Sequence, residues 1–144
     1  MRRLIEYFFM SPSDRAICVD PKQVDQVWPL VRSLLSEAAR HGFSNFGLIE
    51  ADVLSGGSLL WLVWNGESIQ AAAVTELIER DGAKECCIAL CAGSKMSEWI
   101  DAYADIERFA RDEECRTIRI IGRKGWERAL SGYRQACVVL EKEL

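Results

Sequence analysis

The stretch that decides the fold is IERFARDEECRTIRI, residues Ile106–Ile120, followed by GRKGWERALSGYRQACVVLEKEL, residues Gly122–Leu144. In the first stretch, apolar residues at helical spacing give way to an alternation of apolar and polar residues, which is typical of a helix followed by a strand. Trp99 and Tyr103 extend the same apolar stripe toward the N-terminus. The predicted elements are a helix over Glu98–Glu114, a strand over Arg116–Ile121, a glycine-bounded turn and helix over Gly122–Leu130, and a closing strand.

Turn and cap residues divide the preceding part of the chain. Asp20-Pro21 supplies an N-cap and a first-turn proline for a helix that continues to about Arg40. Pro29 lies within this helix and is expected to kink it or divide it. Asn65-Gly66 is a strong hairpin signal. The remaining predicted elements are a strand at 16–19, a helix at 46–54 and strands at 59–64, 68–79 and 84–91.

This order and the C-terminal motifs resemble the GNAT (Gcn5-related N-acetyltransferase) superfamily. In that family a helix ending in "(W/F)AR..GC" leads into a strand, and "GF/GY…(L/V)EK.L" closes the fold; here the matching letters are FAR at 109–111, GY at 132–133 and LEKEL at 140–144. The resemblance covers roughly residues 16–144 and implies one α/β domain with a mixed central sheet, in β-α-α-β-β-β-α-β-α-β order. Residues 1–15 would form an N-terminal extension or an added edge strand.

The resemblance implies that the fourth and fifth strands splay apart and that acetyl-CoA lies between them. Active members carry a (Q/R)xxGx(G/A) loop after the fourth strand, whose amides bind the pyrophosphate. Here that stretch has a single glycine and no opening Arg or Gln, so either its polar residues contact phosphate weakly, or Ser97 only caps the helix. Arg123 and Trp126, at the mouth of the cleft, either contact the ligand or anchor the short helix. The candidate cofactor-binding residues are Leu90, Cys91, Ala92, Gly93, Ser94, Lys95, Arg123 and Trp126.

Candidate catalytic residues are sparse. Family members often place a tyrosine, the general acid, four residues before the glycine of the "GF" pair, but that position is Arg128 here, and Tyr133 takes the aromatic core position. The general base is usually a carboxylate on a central strand. Glu76 and Glu85 are the candidates, and each could equally be an exposed strand residue. Around the acceptor pocket the resemblance implies Phe43, Phe46 and Glu50, which could instead pack beneath the first helix.

Composition excludes several classes of function. The net charge of −4 and pI near 5.1 argue against binding nucleic acid through its phosphates. The six cysteines include no CxxC pair, and Cys87 and Cys91 would lie about 13 Å apart on a strand, too far to share zinc. We therefore expect buried reduced thiols and no metal. No apolar run approaches the roughly 20 residues of a membrane span, so we expect a cytoplasmic protein without membrane partners.

Two functional classes fit these observations. The first is an acyl-CoA-dependent N-acyltransferase with a degenerate pyrophosphate loop and weak acetyl-CoA binding, acting on a small-molecule or protein amine. The alternative is a non-catalytic GNAT-fold binding or assembly module, of bacterial, prophage or phage-derived type. A homodimer is compatible with either.

Overall fold

One five-stranded sheet organises the part of the chain that the structure describes. The computed structural model describes residues 16–144, so the predicted N-terminal extension, residues 1–15, lies outside the described part. The strands lie side by side in their order along the chain. They are β1 (Ala16–Cys18), β2 (Leu59–Trp64), β3 (Ile69–Arg80), β4 (Ala83–Gly93) and β5 (Thr117–Ile120).

The sheet is mixed, as the sequence predicts. The β1–β2, β2–β3 and β3–β4 pairs are antiparallel, whereas β4 and β5 run parallel, with Glu85 opposite Thr117 and Ile88 opposite Ile120. A parallel pair requires a long crossover, and the chain between β4 and β5 supplies it as helix. The predicted parallel pairing of the fourth and fifth strands is therefore confirmed.

The first two helices cover one face of the sheet. A short 3₁₀ turn (Pro21–Gln23), with the Asp20 carboxylate accepting from the Lys22 amide, leads into α1 (Val24–Arg40). Pro29 lies inside α1, but the helix is not divided there. Asn45 caps α2 (Phe46–Ser55) by accepting from the Leu48 amide.

The helical segment after β4 differs from the prediction of one long helix. It consists of α3 (Met96–Trp99), a 3₁₀ turn (Ile100–Ala102) and α4 (Tyr103–Asp112). The 3₁₀ turn buries Ala102 beneath the sheet. The short α5 (Trp126–Ala129) follows β5.

Each face of the sheet has its own core. Alternate residues of the strands point to opposite faces, so Leu60 and Val74 pack against α1 and α2, while Trp61 and Ala73 pack against α4. Among the described helices, none is long and apolar enough to cross a membrane.

The predicted closing strand does not form in the described residues. Residues 131–144 contain no strand, and Val138, Val139 and Leu140 are 65%, 58% and 90% exposed. Because β5 contributes only four residues, a strand along its outer edge would gain few hydrogen bonds. The last strand of the predicted order is therefore wrong, although the mixed α/β class stands.

Candidate functional site

A one-residue β-bulge in β4 is the origin of the site. Val74 pairs with Leu90 and Thr75 pairs with Ile88, so Ala89 has no partner on β3. On the other side, pairing with β5 ends at Ile88 and Ile120. A bulge bends its strand and increases the local twist. The two parallel strands separate beyond this point, as the resemblance implied.

The separation opens a cleft of about 540 Å³. One wall comes from the C-terminal part of α1 and the loop after it, and the other from the loop after β5. The Ser44 hydroxyl in the α1–α2 loop donates to the Ala89 carbonyl at 3.2 Å, which fixes that loop beside the bulge. The cleft-lining residues include Leu34, Ala38, His41, Phe43, Ser44, Ala89, Leu90, Cys91, Ala92, Gly93, Ile121, Arg123 and Trp126.

The loop between β4 and α3 forms one end of the cleft. A Cβ on Gly93 would lie 2.7 Å from the Ala71 Cβ and 2.7 Å from the Gln70 carbonyl, so only glycine fits there without a shift. The next-but-one residue, Lys95, has a left-handed backbone (φ 53°), and α3 begins without a side-chain cap. The first amides of α3 are thus not engaged by a capping side chain.

Three aromatic rings pack at the same end. Trp99 donates its indole N–H to the Ser94 carbonyl at 2.9 Å. Its ring is 6.3 Å from Tyr103 and 6.1 Å from Trp126, measured between centroids. Trp126 also covers Gly122, where a Cβ would approach the indole to 2.6 Å. Trp126 therefore both lines the cleft and anchors α5, so the two interpretations of this residue are compatible.

Glu85 lies away from the cleft, in the paired half of β4. Its side chain is 2% exposed and three guanidinium groups surround it: Arg119 at 3.4 Å, Arg80 at 3.6 Å and Arg116 at 3.9 Å. Its Oε2 atom accepts no hydrogen bond from the described residues. A carboxylate so enclosed is a counter-ion to arginines, a different environment from the exposed strand residue that the sequence allowed.

Glu76 is the more accessible of the two carboxylate candidates. It is half-buried on β3, opposite Cys87 on β4. Burial, and then the charge of Glu76, raise the pKa of Cys87 to about 11. The Cys87 thiol therefore stays protonated at neutral pH. Glu76 itself lies on β3, which pairs with β4 on both sides of the bulge.

Tyr103 and Tyr133 belong to the core on the α4 side of the sheet. The Tyr133 side chain packs against the α4 side of the sheet, and its buried hydroxyl lies beside Glu107. Burial raises the pKa of Tyr133 well above its usual value, and does the same for Tyr103. Neither is suited to give up a proton at neutral pH.

Phe46 and Glu50 fix α2 on α1. The Glu50 carboxylate accepts from the Trp28 indole and the Arg32 guanidinium, each at 2.6 Å. The Phe46 ring stacks on Trp28 at 6.1 Å and lies under Arg32 at 5.2 Å. Phe43, by contrast, lines the cleft and is 64% exposed.

The cysteines are free thiols in this structure. Across residues 16–144, no group of His, Cys, Asp and Glu is arranged to hold a metal ion. Burial raises the pKa of Cys86 to about 12 and that of Cys91 to about 11. These thiols pack as small apolar side chains.

The structure brings together most of the candidate cofactor residues. Leu90, Cys91, Ala92 and Gly93 line the cleft together with Arg123 and Trp126; Ser94 and Lys95 follow directly in the chain. Sequence reasoning missed Ser44, Ala89 and the contribution of α1. No residue type marks the bulge, since Ala89 lies in the uniform apolar run CCIALCA.

Comparison with known proteins supports the fold. No family model matches the chain, and no curated protein matches it in sequence. Among solved structures, it is similar to a GNAT family acetyltransferase from Staphylococcus aureus (14% identity, TM-score 0.61, covering 90% of this chain and 97% of that one). It is also similar to an aminoglycoside acetyltransferase from an uncultured soil metagenomic sample, solved with sisomicin (10% identity, TM-score 0.63, covering 90% of this chain and 95% of that one).

A third similar structure is an integron cassette protein from the mobile metagenome of Cole Harbour salt marsh (14% identity, TM-score 0.62, covering 95% of this chain and 94% of that one). These matches span nearly the whole of both chains. The chain has the fold of the GNAT acetyltransferases, as the C-terminal motifs implied.

Proposed function

We propose that this chain is an acyl-CoA-dependent N-acyltransferase whose acceptor is an amine. The observation that carries the proposal is the cleft where β4 and β5 diverge at Ala89. The backbone of β4 beyond Ile88 has no β5 partner there, so its groups can pair with the amides of a pantetheine chain as a further strand would. Similar structures named as acetyltransferases support the same assignment.

The residues present fit the phosphate end of acetyl-CoA. Gly93 packs against Ala71, the Gln70 carbonyl and Trp99, so that a side chain at this position would displace the loop. Lys95, 74% exposed, and Arg123 carry positive charge near the uncapped start of α3, where phosphates would lie. When bound, acetyl-CoA supplies an acyl group activated as a thioester.

The chain's own contribution is binding, orientation and removal of one proton. Phe43 and Ile121 line the cleft with exposed apolar surface that a bound ligand would cover. With acetyl-CoA and an amine bound, Glu76 would accept through water the proton that the amine loses on taking the acyl group, and the same proton would pass back through water to the thiolate that is released. We prefer Glu76 to Glu85 because arginines enclose the Glu85 carboxylate.

Calorimetric titration with acetyl-CoA tests the proposal. A loop with one glycine offers fewer amide donors than the full motif, and each lost charge-assisted hydrogen bond weakens binding by roughly 1.5–3 kcal/mol. We therefore expect binding weaker than micromolar, lost in Gly93→Pro, together with slow acetylation of amines. No heat and no rise in melting temperature at millimolar acetyl-CoA would contradict the proposal and leave a non-catalytic module as the account of this fold.

A further inference from the structure

We infer that the acceptor is a diamine, whose second ammonium group binds to the α1 wall of the cleft through the Glu37 carboxylate and the Phe43 ring. The inference rests on the proposed function, since it names the class of acceptor for the same cleft. Its basis is the way in which charge and aromatic surface are distributed over the two walls.

The last turns of α1 present one side to the cleft. Leu34, Glu37, Ala38 and His41 all line it, and spacings of three and four residues put them on one face of the helix. Glu37 is the only carboxylate among the described residues that line the cleft. The α1 wall therefore carries the negative charge that borders the bound ligands.

The opposite wall and the loop after β4 carry positive charge. Arg123 lines the cleft in the loop after β5, and Lys95 is 74% exposed at the start of α3. This side suits the anionic phosphates of acetyl-CoA, whereas the side that carries Glu37 suits a cation. The charges of the cleft thus assign its two substrates to different walls.

Glu37 retains acceptor positions for a further cation. Its Oε2 accepts from the Arg40 guanidinium at 3.0 Å, and its Oε1 lies 3.3 Å from the His41 Nε2. A carboxylate offers about four lone-pair positions, so these contacts leave about half of them open. The Glu37 side chain is 59% exposed, and exposed pairs of this kind contribute little. An ammonium group can therefore join them or replace them.

Phe43 provides aromatic surface on the same wall. Its side chain is 64% exposed and lines the cleft. The next residue, Ser44, donates to the Ala89 carbonyl at 3.2 Å, which holds this part of the loop at the bulge where β4 and β5 diverge. Because the face of an aromatic ring attracts cations, the ring and the carboxylate both favour an ammonium group at this wall.

The group that stays on this wall is not the amine that reacts. An amine must lose its proton to take the acyl group, so it cannot remain a cation on Glu37 during transfer. A second ammonium group on the same molecule can remain there, which makes a diamine the simplest acceptor of this class. A monoamine lacks that group, and an amino acid would bring a carboxylate toward Glu37.

The test follows the imidazole C–H resonances of His41 by proton NMR, in the whole chain without acetyl-CoA. His41 is the single histidine of the sequence, so these resonances report on the α1 wall directly. We expect 1,4-diaminobutane and its three- to six-carbon homologues to shift them in a saturable manner. n-Butylamine at twice the concentration, which matches the charge, and 4-aminobutyrate should bind about fivefold more weakly or not at all.

Variants separate the site from general attraction to an acidic protein. Glu37→Gln should weaken diamine affinity about fivefold, and Phe43→Leu should weaken it about two- to fivefold. The matched control is Asp25→Asn, which removes a negative charge from the exposed first turn of the same helix and should leave the affinity unchanged.

Equal affinities for 1,4-diaminobutane and n-butylamine, or an unchanged diamine affinity in Glu37→Gln, would overturn the inference. If acetyl-CoA binds but diamines show no preference, the inference fails and the acyltransferase stands. If diamines bind at His41 but acetyl-CoA does not bind, the diamine site stands and the acyltransferase fails.

Discussion

The Ser44 hydroxyl donates a hydrogen bond to the backbone carbonyl of Ala89, the one residue of β4 that has no partner on β3. A loop residue thus donates to a backbone carbonyl that the bulge leaves without a pairing residue on β3. Because the two residues are 45 positions apart, this contact joins the α1 wall of the cleft to its floor.

Replacing Ser44 with alanine tests this contact. Loss of a hydrogen bond to a part-buried carbonyl is worth about 1 kcal/mol, so the melting temperature should fall by about 2–4 °C. Acetyl-CoA affinity should fall as well, because the loop is no longer fixed. The control is Ser55→Ala, whose hydroxyl bonds an exposed carbonyl of its own helix. Scanning calorimetry that finds equal losses for both variants would remove any special role for Ser44.

Gly93→Ala should destabilise the protein and impair the cleft. The added methyl would lie 2.7 Å from two atoms of β3 and 3.0 Å from the Trp99 indole, and such overpacking costs about 1–3 kcal/mol. Gly42→Ala is the matched control, since a Cβ there meets nothing within 4 Å. Urea unfolding should give a lower midpoint for Gly93→Ala than for Gly42→Ala. Equal midpoints would show that the loop can shift to accommodate the methyl group without loss of stability.

Glu50→Gln should destabilise the protein at neutral pH more than in acid. Hydrogen bonds from Arg32 and then Trp28 hold the pKa of Glu50 below its ordinary value of 4.5. A lowered pKa in the folded state stabilises it above 4.5, and this contribution disappears as the pH falls through the folded-state pKa.

The stability difference between the unmodified protein and Glu50→Gln, measured by urea unfolding, should therefore shrink as the pH drops below about 4.5. Glu37→Gln provides the control, because its pairs with Arg40 and His41 are exposed and surface pairs contribute little. A difference for Glu50→Gln that is constant from neutral to acid pH would refute the linkage.

Cys137 should be the first thiol to react with a disulfide reagent in the native protein. It is exposed, whereas burial raises the pKa of Cys86, Cys87 and Cys91 to about 12, 11 and 11. Cys18 is also surface-accessible, but its sulfur is partly covered and its pKa is raised to about 11, by burial and by Asp20. Since the thiolate is the reactive form, Cys137→Ser should abolish the fast phase. A fast phase that survives in Cys137→Ser would place the reactive thiol elsewhere.

Local patterns predicted the elements whose causes are local. Strand β2 has the bounds that its apolar run indicates, and α1 begins after the predicted Asp20-Pro21 cap and ends at the predicted Arg40. The environment of Glu85 was beyond such reasoning, because its counter-ions lie on β3, on β5 and directly before β5, and Arg119 on β5 is 34 residues away. Opposite charges that meet only through strand pairing leave no pattern in the sequence.

The closing strand failed for a related reason. Residues 136–140 are apolar enough to predict a strand, but a strand needs an edge of sufficient length, and β5 provides four residues. The apolar pattern of a segment shows that it could form a strand. Whether it does so depends on the neighbouring strand, which is formed by another part of the chain.

The cleft depends on the bulge at Ala89, whereas the packing of the β4 side chains into the two cores does not. Ile88 packs on the α4 side and Leu90 on the α1 side, so the two faces would alternate correctly if Ala89 were absent. Ala89 is thus one residue more than the alternation of side chains between the two faces of β4 requires. A chain shortened by Ala89 alone would keep the other side chains of β4 on their own faces, and would lose both the carbonyl that Ser44 contacts and the bend that opens β4 from β5.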